Sequence, residues 1–424
     1  SSQTQYTLGD AKTLSIPLTW NDGQGRSVTK TYTFTRGSYQ VALTHALNNT
    51  SATPWTVAPY VQFWRTPKPH LENDGIGVTA LNGVGFYEKK PGKDGWRFVT
   101  HKYDDLDEEA FSASQQGGWL AVVQPYFVGA VLPANGELSQ YTAKVEPYFS
   151  QKAYMAQWQG AAHTVAAAQN TTLTTNLYLG PQLQDSLENV APGLEYVSDY
   201  GILTFIARPL FSFLGWLNDH LGNWGWAIVV LTILLKMLLY PLNKKQYSAA
   251  AKMKKFAPRL AQLREKHGDD KAGMQKAMMD LYKKEGFNPF DMMIGCLPLL
   301  LVQTPVFMAL YWVLQGSVEL RLQPFILWVN DLSAADPWFI LPILFGISMW
   351  GMQKISSQSA TMDPTQQKVM QLMPVMLTGL FLFLPAGVVL YSVVSNVISL
   401  LQQLWFNRVY EAQEAKAALL TAQR

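Results

Sequence analysis

Apolar and polar residues alternate between positions 14 and 46, as in Leu14-Ser-Ile-Pro-Leu-Thr-Trp20 and Val28-Thr-Lys-Thr-Tyr-Thr-Phe-Thr35, with Asn21-Asp-Gly-Gln-Gly25 between the two runs. A period of two sends successive side chains to opposite faces of a strand, and Asp-Gly marks a turn, so the segment predicts antiparallel strands. Runs of this kind, bounded by Asp-Gly or Arg-Gly, recur as far as Leu179 and predict an all-β sandwich. The period then changes. From Tyr196 to His220, Leu203, Phe205, Ile206, Leu210, Phe211, Phe213, Leu214 and Leu217 form a broad apolar helical face. With the aromatic cluster Gly222-Asn-Trp-Gly-Trp226 directly after it, this segment predicts an amphipathic helix lying in a membrane interface.

Beyond residue 223 the apolar runs reach membrane length. Trp224–Leu242, Met292–Leu314, Pro337–Met352, Val369–Leu384 and Ala386–Trp405 predict five spans. The third and fourth cover only about 24 Å at about 1.5 Å per residue, against a hydrocarbon core of about 30 Å, so the bilayer would have to thin around them. The expected organisation is therefore an external β-sandwich over residues 1–195, an interfacial helix over 196–222, a five-span α-helical polytopic membrane core over 223–405 and a cytoplasmic tail over 406–424. Within the core, Gln246–Asp291 predicts a helical hairpin. Met253, Phe256, Leu260 and Leu263 lie on one arm, Met274, Met278, Leu281 and Tyr282 on the other, and Gly268-Asp-Asp270 forms the turn.

Charge orients this arrangement. The net charge of +3 over 424 residues is too small to imply a specific nucleic-acid partner. Twelve basic residues nevertheless crowd the first inter-span loop, from Lys244 to Lys284, whereas Gln315–Asp336 carries only Arg321. The positive-inside rule makes the first loop cytoplasmic and the second external. The basic hairpin faces fit either anionic lipid headgroups or a docking surface for a ribosome, a targeting factor or a nascent chain. The single cysteine, Cys296, lies in an apolar run and reads as a small buried hydrophobe. His45, His70, His101 and His163 are scattered along the first half without a catalytic spacing.

Within the first span stands one ionisable residue, Lys236, four positions after Thr232 and so on the same helix face. An intramembrane lysine either lines a polar pathway or snorkels to the surface. The other span residues capable of hydrogen bonding include Gln303, Thr304, Tyr391, Ser392, Ser395, Asn396 and Gln403. The spans hold no His-Glu-x-x-His, paired carboxylates or Gly-Lys-Ser phosphate loop, so no metal, cofactor or catalytic set is predicted.

The segments Gly222-Asn-Trp-Gly225, Tyr240-Pro-Leu242, Gly268-Asp-Asp-Lys271, Asn288-Pro289, Gly316-Ser-Val-Glu-Leu-Arg321, Asp331-Leu-Ser333, Asp336-Pro337, Ile340-Leu-Pro-Ile343, Met373-Pro-Val375 and Pro385-Ala-Gly387 to Ser395-Asn396 resemble those of the YidC membrane protein insertases of Gram-negative bacteria. The resemblance runs over nearly the whole chain. It implies a periplasmic β-sandwich whose C-terminal part is residues 1–195, preceded in the family by an anchor span. It also implies a five-span core in the inner membrane around a hydrophilic groove open to cytoplasm and lipid. Its implied partners are nascent membrane proteins, the ribosome, the Sec translocon and anionic lipids. The groove would be lined by Lys236, Thr232, Gln303, Tyr391 and Ser392. Lys236 aligns with a family arginine and keeps its charge without the planar fork that grips carboxylates in bidentate fashion. Asn288–Pro305 is about four residues longer than the family pattern, and Ser392 stands where a second aromatic is common. Two other readings remain open from the residues alone, a transporter or channel and a sugar-binding or sugar-modifying activity in the β domain.

Overall fold

The computed structural model describes residues 3–67, 82–90, 92, 94–134, 136–198, 203–267, 270–284, 289–355 and 364–422. His70, the turn positions 268–269 and the side chains of Met253, Phe256, Leu260, Tyr282 and Cys296 lie outside the described residues. The chain divides into two compact units, Ser1–Asp199 with Gly316–Val318, and Tyr200–Gln315 with Glu319–Arg424.

The first unit carries strands β1 (Thr13–Asn21), β2 (Arg26–Thr35), β3 (Gln40–Asn49), β4 (Trp55–Val57), β5 (Tyr60–Arg65), β6 (Gly83–Lys89) and β7 (Trp96–Lys102), then helix α1 (Tyr103–Glu108). Strands β8 (Phe111–Gln116), β9 (Trp119–Gln124), β10 (Phe127–Leu132), β11 (Leu138–Tyr148), β12 (Gln151–Gln159), β13 (His163–Val165) and β14 (Gln169–Pro181) follow, then helix α2 (Gln184–Val190). An eight-stranded sheet in the order β1-β2-β3-β14-β10-β9-β6-β7 faces a four-stranded sheet in the order β5-β12-β11-β8. The pairings within both sheets are antiparallel. The predicted Asp-Gly turn joins β1 to β2, with the Asp22 carboxylate accepting from the Gln24 and Arg26 amides at 2.7 and 3.0 Å.

Burial follows the strand period. Leu43, Phe86, Leu120, Val131, Tyr141, Ala156 and Leu177 meet between the two sheets. Trp119, Ala121, Val123, Val128, Ala130 and Tyr178 point to the opposite face of the large sheet, where Leu187 of α2, Leu194 and Val197 cover them. Strands β9 and β10 are thus buried on both faces, which accounts for their nearly unbroken apolar sequence.

Helices α3 (Thr204–Leu221), α4 (Trp224–Leu238), α5 (Tyr240–His267), α6 (Lys271–Lys284), α7 (Pro289–Gly316), α8 (Ile340–Ile355), α9 (Pro364–Phe381) and α10 (Ala386–Ala422) belong to the second unit. Gly222 ends α3 in the left-handed conformation at φ 68°, which a glycine adopts without steric cost. Asn223 caps α4 by accepting from the Trp226 amide at 3.1 Å, and its amide nitrogen donates to the carbonyls of Pro324 and Phe325. A Cβ on Gly225 would lie 2.1 Å from Cδ2 of Phe325, so only glycine fits. On α3, Ala207, Phe211, Leu214 and Leu217 pack into the same core as Ala227, Ile228 and Leu231 of α4. Phe205, Phe213 and Trp216 remain exposed on the other side of α3.

The helices depart from the expected spans in three ways. The apolar run expected to end at Leu242 stops as α4 at Leu238 and bends by 59° into α5. The last expected span continues without a break into the expected tail, as α10 runs to Ala422. Among the described residues one helix, Ala386–Gln413, is long and apolar enough to cross a membrane, with Trp224–Ser248 qualifying as a bent pair; Ile340–Ile355 and Lys368–Phe381 are apolar but shorter. Helices α5 and α6 occupy the stretch expected to form the hairpin, and α5 begins at Tyr240 rather than at Gln246.

Candidate functional site

A cavity of about 630 Å³ opens among α4, α5, α7, α8, α9 and α10. Its polar wall comes largely from one face of α10, because Ser392, Ser395, Asn396, Ser399 and Gln403 follow helical spacing. Facing positions are supplied by Lys236 on α4, by Asn243, Gln246 and Tyr247 on α5 and by Gln303 and Thr304 on α7. The apolar wall includes Phe307, Leu377 and Leu380. It also includes Phe345 and Phe381, stacked with ring centroids 3.9 Å apart and planes within 4°. At the position of that stack, a Cβ on Gly346 of α8 would strike the Thr378 hydroxyl of α9 at 2.3 Å, so the two short helices pack tightly.

The bend between α4 and α5 determines where Lys236 sits. A break in a helix frees backbone carbonyls, and here the Lys236 carbonyl accepts from Gln402 Nε2 at 3.1 Å. The same Gln402 side chain accepts from Asn243 Nδ2 at 3.1 Å, so a glutamine on α10 holds both sides of the bend. The Tyr247 hydroxyl donates to the Ser399 carbonyl at 3.3 Å, a second tie between α5 and α10. Asn396 donates to the Ser348 hydroxyl at 3.2 Å and links α10 to α8. With its backbone held in this way, Lys236 lines the cavity with 8% of its surface exposed.

Four of the five sequence-predicted site residues line this cavity: Lys236, Gln303, Tyr391 and Ser392. Thr232 does not. It is fully buried, and its hydroxyl donates to the Ile228 carbonyl at 2.6 Å, so the expected two-residue stripe is reduced to the lysine. The Tyr391 hydroxyl faces Gln303 and Ser395. Gln303 Oε1 is buried without a hydrogen-bond partner among the described residues. Among the described lining residues there is no carboxylate, and Lys236 is the charged group. Asn243, Gln246, Tyr247 and Ser399 complete the polar lining and were not legible as site residues. The first three lie beyond the bend, in what hydropathy assigns to a span end and a loop, and a lone serine in an apolar helix carries little signal.

This lining suits solvation rather than bond making. An ammonium, several hydroxyls and amides and an unspent carbonyl oxygen can replace water around a polar chain segment, while the aromatic wall accepts apolar side chains beside it.

Comparisons with known proteins match the two halves separately. Residues 1–213 match the family described as YidC periplasmic domain, and residues 216–414 the family described as 60Kd inner membrane protein. The membrane protein insertase YidC of Thioalkalivibrio sulfidiphilus is 40% identical over 408 residues, covering 96% of this chain and 71% of that relative. That of Nitrosococcus oceani is 42% identical over 412 residues, covering 97% of this chain and 72% of the relative. The chain belongs to the YidC insertase family. A solved structure of an active YidC insertase with its first transmembrane domain resolved covers 93% of this chain and 83% of its own, with 19% identity and a TM-score of 0.44. As a YidC-family chain it is an inner-membrane protein with a periplasmic domain, and its β-sandwich and helical units correspond to the two matched families.

Proposed function

We propose that this YidC-family chain inserts nascent proteins into the inner membrane, with the cavity around Lys236 receiving the hydrophilic segment that has to cross. The observation that carries the reading is a polar, singly cationic cavity among helices that are otherwise apolar on their outer sides. A charged or hydrogen-bonding segment entering hydrocarbon loses its water at a cost of several kcal/mol, and the cavity groups offset that cost. The client's apolar segment then leaves sideways into lipid, where burial of its surface at about 25 cal/mol per Å² supplies the drive, so no nucleotide is needed.

In this reading α4 with the start of α5, α7, α8, α9 and α10 are five spans, the β unit is periplasmic and the end of α10 is cytoplasmic. The basic residues of α5 and α6 support that orientation and suit the hairpin for the ribosome, the Sec translocon or anionic lipid. Lys236, Gln303, Tyr391 and Ser392 contact the client, and Thr232 packs α4 behind them. A transporter or channel would need a continuous path, which conductance of the purified protein in liposomes tests. A sugar-modifying activity would need an acid/base pair convergent in the β unit, and titration of the purified protein with monosaccharides tests sugar binding there.

Clients with zero, one and two carboxylates in the translocated tail test the role of Lys236. An ammonium and a carboxylate about 4 Å apart at an effective dielectric near 20 attract by roughly 4 kcal/mol, enough to bias entry without trapping the tail. Lys236→Arg should retain insertion, Lys236→Ala should impair the acidic clients most, and Lys236→Glu should be worst for them. Equal insertion by all three variants would leave Lys236 as a snorkelling residue. A photo-crosslinker at Gln303 or Ser395 should capture a stalled client, and silence at both would remove the cavity from the path.

A further inference from the structure

The connection between α7 and α8 is built inside out. Its carboxylates turn inward: Asp331 accepts from the Leu322 and Ser333 amides at 3.0 and 2.8 Å and from the Ser333 hydroxyl at 2.7 Å. Asp336, 1% exposed, accepts from Trp328 Nε1 and the Trp338 amide at 3.0 Å and from the Leu341 amide at 2.7 Å, capping α8. The inner side is further pinned to the start of α10, where Ala386 and Gly387 donate to the carbonyls of Ala334 and Leu332.

The outer side carries Leu322, Ile326, Leu327, Trp338 and Phe339, all exposed, with Leu327 at 81%, Leu322 at 73% and Trp338 at 69%. Leu322, Leu327 and Phe339 hold φ of 58°, 56° and 56°, a left-handed conformation unfavourable for bulky side chains. A loop in water would be expected to place glycine or asparagine at such positions, and strain of this sort persists only where the surroundings over-determine it. Here each of the three strained residues displays its apolar side chain outward.

We propose that this loop is a lipid-seated wedge, its exposed apolar side chains sitting in the headgroup and acyl boundary of the outer leaflet. The inference rests on the reading of α8 as a span. The apolar surface of the loop continues into that of α8, where Ile343, Ile347 and Trp350 are also exposed. The 16 residues of α8 reach only about 24 Å at 1.5 Å per residue, short of a hydrocarbon core of about 30 Å. The wedge makes up apolar length at the outer end of α8. Any thinning of the bilayer is thereby confined to the inner leaflet, where a hydrophilic client segment enters. Trp338 and Phe339 at the helix start are residue types that settle at this depth.

The test places a nitroxide at Leu327→Cys and at Trp338→Cys in a Cys296→Ser background, in the full-length protein reconstituted into phosphatidylethanolamine–phosphatidylglycerol vesicles. Ile347→Cys serves as the span reference and Gln24→Cys as the water reference. Accessibility to oxygen should exceed accessibility to a water-soluble nickel chelate severalfold at both loop sites, approaching the Ile347 ratio. A ratio like that of Gln24 would overturn the proposal, as would low accessibility to both reagents, which means a protein partner covers the loop. An aqueous ratio at Ile347 as well would instead overturn the reading of α8 as a span. In detergent, Leu327→Gly should be at least as stable as the parent, because the left-handed strain is relieved and no internal packing is lost. Marked destabilisation would show that Leu327 packs within the protein and would also overturn the proposal.

Discussion

Replacing Gln402 by leucine removes the side chain that holds the α4–α5 bend and leaves the volume nearly unchanged. Two hydrogen bonds are lost, Gln402 to the Lys236 carbonyl and Asn243 to Gln402, both at 3.1 Å. Side-chain hydrogen bonds among membrane helices average about 0.6 kcal/mol and reach about 1.7, while an unsatisfied buried polar group costs about 1–3 kcal/mol. In the variant the Lys236 carbonyl loses its Gln402 donor, and Asn243, 3% exposed, loses its acceptor. Gln402→Leu is therefore expected to destabilise the helical unit by about 1–3 kcal/mol. The assay is reversible denaturation in detergent, run as a double-mutant cycle with Asn243→Ala. The coupling should be about 0.6–1.7 kcal/mol, since one of the two bonds is shared by the pair. Because the same clamp positions Lys236, insertion of acidic-tailed clients should fall in parallel. Additive single effects, or a loss for Gln402→Leu below about 0.3 kcal/mol, would refute the idea that Gln402 organises the bend.

Gly225→Ala should cost about 1–3 kcal/mol by forcing its Cβ against Phe325, and Phe325→Ala in the same chain should recover part of that loss in the same denaturation assay. In the β unit, burial lowers the imidazole pKa of His45, helped by Lys30, and burial also lowers that of His101 against the opposing pull of Asp105 and Glu88. His45 Nδ1 and His101 Nε2 are buried without hydrogen-bond partners among the described residues. The fold thus favours the neutral rings, so this contribution is present above the unfolded pKa of about 6.5 and is lost as pH falls below it. Hydrogen-exchange protection factors in β3 and β7, corrected for the intrinsic pH dependence of exchange, should fall between about pH 7 and pH 5, and His45→Gln with His101→Gln should flatten the slope. In sealed cells with a permeabilised outer membrane, protease should degrade the β unit and spare the basic stretch Lys244–Lys284; cleavage in that stretch alone would invert the proposed orientation.

The one-dimensional pattern determined a good deal of this protein. A period of two placed β1 and β2 within one or two residues of their ends, because one-sided burial makes alternation compulsory in a strand. Apolar runs located the helices for a similar reason, and Ser392, Ser395, Asn396 and Gln403 stood out as hydrogen-bonding residues within the last of them. Lys236 stood out by energetic cost alone. Tertiary structure decided the rest. Nothing local in Thr232 indicates that its hydroxyl closes onto Ile228, since a threonine serves equally well turned into a cavity. The end of α4 at Leu238 depends on Gln402, a residue more than 160 positions away, compensating the carbonyl that the bend releases. Asn243, Gln246 and Tyr247 become cavity residues only because that bend carries α5 back against α10. The inward carboxylates of Asp331 and Asp336 and the outward leucines between α7 and α8 reverse what polarity predicts for a connecting loop. Hydropathy reports how much each residue prefers to leave water, whereas the direction in which a side chain points, and what meets it there, is settled by contacts between distant parts of the chain.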